Sequence, residues 1–330
     1  MLVLVIIGIV IALAFDFLNG MNDAANSIAT IVSTRVLSPL AAVAWAAFFN
    51  FTAYFLFGVH VANTMGKGIV DPTIVNEYFI LSALTGAIVW VWFCTHFGLP
   101  ISVSHALIGG MIGPALFVEG AGFIIGSGVF KIVLFIFLSP LIGMILGYLM
   151  MLLTMVLFKN TSPNKVDHLF RGLQLLSSAF FSLGHGSNDA QKTMGIIAIL
   201  LFSTGHLGSE FYVPEWVVIS AYSSISLGTL LGGWKVIKTM GMGLTDLKPV
   251  GGFCAETAGA LTLIGTALAG IPVSTTHTIT GSIIGVGITK RMSAVRWGTA
   301  SHIVVAWVLT IPAAMIVSGL LYLLVHTVLL

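Results

Sequence analysis

Stretches of 20 or more residues with no charged side chain recur along this chain, and they constrain its fold more than any motif does. Residues 132–158 are one such run. A helix of about 20 apolar residues spans a hydrocarbon core roughly 30 Å thick. Backbone amides and carbonyls inside that core find no water, so only helices or a closed barrel satisfy them. Alternating ten-residue strands, which mark a barrel, are not seen, which leaves an all-α integral membrane protein. Composition agrees: 58% of the 330 residues are hydrophobic and 7% are charged, with a mean hydropathy of +1.08. These values exclude a soluble globular domain, and a net charge of +2 gives no basis for a nucleic-acid partner. No cleavable signal with an A-x-A site stands out, so the first apolar run reads as a permanent span. Cys94 and Cys254 lie in apolar stretches without metal-ligand spacing and read as small buried hydrophobes.

Two motifs occur twice and in the same order. "FDFLNGMNDAANSIAT" from Phe15 aligns with "FSLGHGSNDAQKTMGI", matching Gly20, Asn22, Asp23 and Ala24 with Gly186, Asn188, Asp189 and Ala190. "LPISVSHALIGGMIG" from Leu99 aligns with "IPVSTTHTITGSIIG", matching Pro100, Ser102, His105, Gly109 and Gly113 with Pro272, Ser274, His277, Gly281 and Gly285. Offsets of 166 and 172 residues make the chain an internal duplication: a first repeat over 1–158, a linker over 159–171 and a second repeat over 172–330.

Charge supplies orientation, because Lys and Arg collect in cytoplasmic loops. Arg35, the linker with Lys159, Lys165 and Arg171, the segment Lys235–Lys248, and Lys290 to Arg296 go inside. The segments with Asp71 and Glu77, Glu119, and Glu210 with Glu215 go outside. Equivalent loops then face opposite sides, which is the inverted-topology repeat of secondary transporters. Five crossings per half are expected, at 1–34, 37–59, 78–97, 100–117 and 122–158, then 168–205, 214–232, 252–270, 272–288 and 297–328, with both termini outside. Residues 1–34 would make about 51 Å of helix against a core of roughly 30 Å, so long segments must tilt or break. About 10–12 transmembrane segments with discontinuous helices follow, and re-entrant hairpins at Pro100 and Pro272 stay open. The location is a cell (inner or plasma) membrane.

Ionisable groups in spans are costly and are usually functional. Here they are Asp16, Asp23, Asp189, Lys192 and Glu256, with His105, His185 and His277 nearby. Gly20 and Gly186 permit an unwound turn, after which Asn22/Asp23 and Asn188/Asp189 would cap a restarted helix. Such a start would aim first-turn amides at a ligand, joined by Asn26 and Ser27 in one half and Gln191, Lys192 and Thr193 in the other. In "PISVSH" and "PVSTTH" proline suits a helix start, crowding Ser102, Ser104, Ser274, Thr275 and Thr276 there. Four helix starts suit a tetrahedral oxyanion. Against it stand the carboxylates Asp23, Asp189 and Glu256 with one ammonium, Lys192, so cations must accompany the anion: Na⁺ on carboxylate, amide and hydroxyl oxygens, or protons on the carboxylates. His105 and His277 read either as anion donors or as structural supports, and the glycines of the small-xxx-small patterns as helix-packing positions. A cation-coupled anion transporter is the reading.

These motifs resemble the paired signatures of the inorganic phosphate transporter (Pit) family of cation-coupled phosphate symporters. "GGFCAETAGALT" adds Glu256, whose aligned position in the first half is Leu84. The resemblance implies a secondary symporter importing inorganic phosphate with co-transported Na⁺ by alternating access, with no tightly bound cofactor, a lipid bilayer around it and a homodimer as its assembly. It places Asp23, Asn26, Asp189 and Thr193, with the hydroxyls of the two Ser/Thr motifs, around phosphate and its cations, while Lys192 and Gln191 depart from their counterparts Asn26 and Ala25. Joined to the helix-start reading, the phosphate set is Asn26, Ser27, Ser102, Ser104, Gln191, Lys192, Thr193, Ser274, Thr275 and Thr276. Asn22, Asp23, Asn188, Asp189 and Glu256 would hold Na⁺, with His105, His277, Gly20 and Gly186 in support. Proton coupling and sulfate as cargo are the alternatives within the class, and a passive channel is the rival outside it. An intramembrane hydrolase on Ser104, His105 and Asp23 fits poorly, since adjacent Ser and His project about 100° apart on a helix.

Overall fold

The structure, a computed structural model, describes residues 2–329, and among them the secondary structure is twelve α-helices with short single-turn pieces between. The first six are α1 (Leu2–Ser33), α2 (Pro39–Thr52), α3 (His60–Lys67), α4 (Glu77–Phe97), α5 (Val103–Pro114) and α6 (Gly126–Leu157). The next six are α7 (Pro163–Ser203), α8 (Glu215–Leu231), α9 (Trp234–Gly243), α10 (Pro249–Leu268), α11 (Thr275–Ile288) and α12 (Trp297–Leu329). By length and hydropathy α1, α4, α6, α10 and α12 can each cross a membrane alone. The pairs α2–α3 and α8–α9 qualify together but bend by 85° and 76° at their breaks. The chain is thus a multi-pass, all-helical membrane protein.

Packing follows the duplication with partners exchanged. α1 lies on α8 as α7 lies on α2; α3 meets α7 as α9 meets α1; α5 packs on α12 as α11 packs on α6. Each half is therefore completed by the other. Between residues 158 and 162 the chain leaves helix, and α7 begins at Pro163, so most of the polar linker is helical. An Arg171–Asp167 ion pair of 2.9 Å staples that turn.

The helices do not open at Gly20 or Gly186. α1 and α7 run unbroken through both positions. A methyl group on Gly20 would stand 2.0 Å from the Ile225 carbonyl oxygen, and one on Gly186 would stand 2.6 Å from the carbonyl of Asn50. These glycines let α8 and α2 cross in backbone contact, which is the small-residue logic of membrane helix packing. No restarted helix, and hence no anion-binding terminus, exists after Asn22 or Asn188.

True helix starts lie instead at the tips of two hairpins. α4 and α10 end on Gly98 (φ +72°) and Gly270 (φ +64°), a left-handed turn that glycine adopts freely. After the following prolines the chain re-enters helix at α5 and α11. Ser102 and Ser274 cap these starts, each Oγ accepting from the backbone N–H of His105 or His277 at 3.3 Å. The tips are held alike: Thr239 donates to the Gly98 carbonyl at 3.0 Å and Thr64 to that of Gly270 at 2.8 Å. Helix α5, which continues through the turn Ala115–Glu119, folds back on α4, and α11 folds back on α10, so each pair forms a helical hairpin with its tip at the proline.

Apolar packing forms two clusters, one including Phe15, Met65, Phe79 and Ile197, the other Ile28, Phe181, Leu263 and Ile279. On α1 the change between them falls from Phe15 to Ala24, where the polar residues stand.

Candidate functional site

The middles of α1 and α7 and the two hairpin tips meet in one buried polar centre. From α1 come Asp23 and Asn26, from α7 His185, Asp189 and Lys192, from the first tip Ser104, and from the second Val273, Thr275 and Thr276. All these polar side chains are buried. Helix spacing explains the sets: Asp23 with Asn26, and His185 with Asp189 and Lys192, recur at three- or four-residue steps and share a face.

Thr275 is the hub. Its hydroxyl lies 3.1 Å from Asp23 Oδ2 and 3.0 Å from Asp189 Oδ2, while accepting from Asn26 Nδ2 at 3.3 Å. Asn26 Nδ2 also donates to Thr276 Oγ1 at 3.0 Å, and Thr276 donates to the Ile101 carbonyl at 3.0 Å. Lys192 Nζ donates to Ser104 Oγ at 2.5 Å and to the Val273 carbonyl at 2.7 Å, and it pairs with Asp189 Oδ1. Asn26 and Lys192 are equivalent by duplication, as are Thr276 and Ser104. Each helix thus reaches across to the hairpin tip of the other half. Lys192 is at once the partner of a carboxylate and a donor to a hydroxyl.

Electrostatically the centre is unequal. Asp189 has Lys192 in contact and His185 Nε2 at 3.2 Å. Asp23 has hydroxyls, with Thr276 Oγ1 at 3.5 Å and His185 Nε2 at 4.0 Å. A hydroxyl has one proton, so Thr275 can donate to only one of its two carboxylates at a time. Asp23, His185 and Asp189 also offer ligand atoms that all lie within 4.8 Å of one another, a grouping able to hold a metal ion. His185, absent from the ligand sets read in the sequence, is fixed by Asn50 Oδ1 at 3.0 Å from its Nδ1, and Asn50 in turn donates to Thr229 at 3.0 Å. Its signal was visible as a histidine one turn before Asp189.

Several expected residues stand elsewhere or have other work. Gln191 Oε1 accepts from the N–H groups of Val61 and Ala62 at 2.8 and 3.3 Å, which caps α3. Thr193 donates to Asp16 Oδ1 at 3.0 Å. Ser102 and Ser274 are spent on caps, and Ser27 is buried with no partner. Asn22 donates to Thr95 at 2.7 Å, and Asn188 Oδ1 accepts from Val273 N at 3.3 Å, orienting the second tip. Glu256 is not in the centre: it accepts from Thr30 (2.5 Å), Gln174 (3.0 Å) and Ser177 (2.5 Å). Thr30 lies two helical turns beyond Asp23, about 10 Å along α1. His105 and His277 stack edge to face at 4.6 Å, and His277 lies on Trp307 at 3.6 Å. Both back the tips and line an apolar groove between α6, α11 and α12.

Known proteins match this arrangement along nearly its whole length. A model described as the phosphate transporter family matches residues 19–162 and 157–318. A probable low-affinity inorganic phosphate transporter of Rhizobium meliloti (strain 1021) is 59% identical over 314 residues, 95% of this chain and 94% of its own. The protein of the same description in Bacillus subtilis (strain 168) is 39% identical, with 99% of each chain covered. A solved structure titled "The sodium-dependent phosphate transporter" superposes with a TM-score of 0.92 at 27% identity, covering 99% of this chain and 100% of its own. The chain belongs to the phosphate transporter family, as a multi-pass membrane transporter and not an enzyme.

Proposed function

We propose that the protein imports inorganic phosphate together with Na⁺ by alternating access. One observation carries the coupling: Asp23 is a buried carboxylate whose closest partner, the Thr275 hydroxyl, is shared with a second carboxylate. Burying such a charge without a counter-charge is costly. A small hard cation between Asp23, Asp189 and His185 removes that cost, and oxygen-rich donors suit Na⁺. Asn22 ties α1 to the Thr95 hydroxyl of α4, Asn188 holds the Val273 backbone, and Glu256 with Thr30, Gln174 and Ser177 forms a further carboxylate site along α1.

Phosphate belongs at the two hairpin tips. The caps take the His105 and His277 amides, which leaves the first two amides of α5 and α11 without an intrahelical acceptor, and helix N-termini favour anions. Ser104, Thr275, Thr276, Asn26 and Lys192 converge there as donors. With two carboxylates and one ammonium present, a lone anion would be repelled, whereas phosphate with two Na⁺ leaves the site nearly neutral. The anion thus binds well only when the cations do, which is the thermodynamic content of symport. The solved relative titled as sodium-dependent supports Na⁺ as the coupling ion.

Alternating access would use the exchange of partners between halves, with 1–158 and 172–330 as inverted repeats, 159–171 cytoplasmic, both termini outside and the cell membrane as location. Purified protein in sealed liposomes should accumulate labelled phosphate under an inward Na⁺ gradient and not when K⁺ replaces Na⁺ at matched pH. Uptake that ignored Na⁺ and followed a pH gradient would overturn the Na⁺ assignment.

A further inference from the structure

Helix α1 carries one polar stripe: Asp16, Asn19, Asp23, Asn26 and Thr30 follow at alternating three- and four-residue steps and so share a face. All five are buried. Asp23 and Asn26 belong to the centre, and Thr30 meets Glu256 at one end. At the other end stands Asp16, about 10 Å from Asp23 along the axis, with no role in the site above.

Asp16 is fully buried. Its Oδ1 accepts from Thr193 at 3.0 Å, and its Oδ2 has no hydrogen-bond partner. Two further buried oxygens nearby are also unpartnered, Asn19 Oδ1 and the Tyr222 hydroxyl. The Asn19 side chain lies within hydrogen-bond reach of the Asp16 carboxyl, and Tyr222 stands between the Gln191 side chain and the Asp16 charge. Lys192, the ammonium of the centre, is already taken by Asp189, Ser104 and the Val273 carbonyl. By duplication the counterpart of Asp16 is Ser182, so this helix crossing is built without a carboxylate in the other half. A fully buried acid with one oxygen bare, and neutral oxygens of Asn19, Tyr222 and Thr193 around it, calls for a positive charge.

We propose that Asp16, Asn19 and Tyr222, with the Thr193 hydroxyl, form a separate Na⁺ site on the outer flank of the centre, from which one cation passes along the α1 stripe to Asp23. One carboxylate among neutral oxygens matches a single hard monovalent charge. The inference rests on the reading of Na⁺-coupled import. Thr193 ties the site to α7 three residues from Asp189's neighbour Ala190, so filling it bears on both helices of the centre.

The test uses the full chain in proteoliposomes, with Asp16→Asn, Asp16→Ser and Tyr222→Phe. Na⁺ is titrated at fixed phosphate, and phosphate is titrated at saturating Na⁺. The Asp16 variants should raise the half-saturating Na⁺ at least about tenfold, the scale on which support of a metal site acts, and lower the Hill slope. Their phosphate KM at saturating Na⁺ should stay within about twofold of the parent. Tyr222→Phe, which removes one oxygen and keeps the ring, should shift Na⁺ dependence in the same direction by a smaller factor. It decides the matter if the Asp16 variants fail to fold. Unmoved Na⁺ dependence in active variants, or a raised phosphate KM with Na⁺ dependence intact, overturns the site and leaves Na⁺-coupled import standing. A parent protein whose uptake is insensitive to Na⁺ overturns both.

Discussion

Replacing Lys192 with methionine keeps the length and apolar stem of the side chain and deletes the ammonium. The pair it forms with Asp189 is buried on both sides, with 2% and 1% of the side chains exposed. Breaking such a pair by removing one partner costs about 3–5 kcal/mol, because the other charge stays buried alone. The Val273 carbonyl, which accepts from Lys192 at 2.7 Å, loses its donor as well, at a further ~1–3 kcal/mol where nothing replaces it. Lys192→Met should therefore lose at least about 3 kcal/mol, more than a hundredfold in the unfolding equilibrium. Adding Asp189→Asn removes the stranded charge while keeping an acceptor for Thr275, so the double variant should recover to within about 1–2 kcal/mol of the parent. The assay is reversible unfolding in mixed micelles over a denaturing-detergent series for all four proteins of the cycle, which should give a coupling of about 2 kcal/mol or more. A Lys192→Met protein within about 0.5 kcal/mol of the parent, or a double variant no more stable than Lys192→Met, would refute the placement of this pair at the heart of the centre.

Thr275→Val copies Val103, its counterpart in the first half, and deletes the hydroxyl between two carboxylates; phosphate uptake should fall at least about tenfold, with Thr275→Ser restoring most of it, on the ~1.5–3 kcal/mol scale of a hydrogen bond to a charged group. Gly20→Ala forces a methyl 2.0 Å from the Ile225 carbonyl and should cost about 1–3 kcal/mol. Gly122→Ala, with nothing within 4 Å of the added carbon, should stay within about 0.5 kcal/mol in the same unfolding series. Glu256→Gln should lower stability by about 1–2 kcal/mol, since Thr30, Ser177 and Gln174 all donate to the carboxylate, while leaving phosphate KM at saturating Na⁺ unchanged in transport assays.

Apolar run lengths and the twice-repeated motifs were enough to read helical class, duplication and the convergence of Asp23, Asp189, Thr275 and Thr276. Their legibility has a physical source: hydrocarbon solvent leaves few backbone choices, and polar side chains in it stand out. The continuity of α1 and α7 was not legible. A glycine that permits an unwound turn and one that admits a crossing backbone look alike in sequence, and only the partners Ile225 and Asn50 decide between them. The same holds for Gln191 and Thr193, whose hydrogen bonds go to α3 and Asp16 because of how α7 is rotated against its neighbours. Glu256 reads as part of the central charge count, yet its donors Thr30, Gln174 and Ser177 are uncharged side chains on α1 and α7 whose sequence positions carry no sign of that contact. His185 was visible but unassigned, since its first-half counterpart, Asn19, offers no matching titratable group.

Coupling itself is tested most directly by following labelled Na⁺ and labelled phosphate together into proteoliposomes. In the parent protein the two should enter in fixed proportion, each needing the other, and Asp23→Asn should abolish both coupled fluxes while the protein remains folded. Phosphate entering at an undiminished rate with no accompanying Na⁺ would contradict the assignment of Asp23 and Asp189 to a cation-coupled centre.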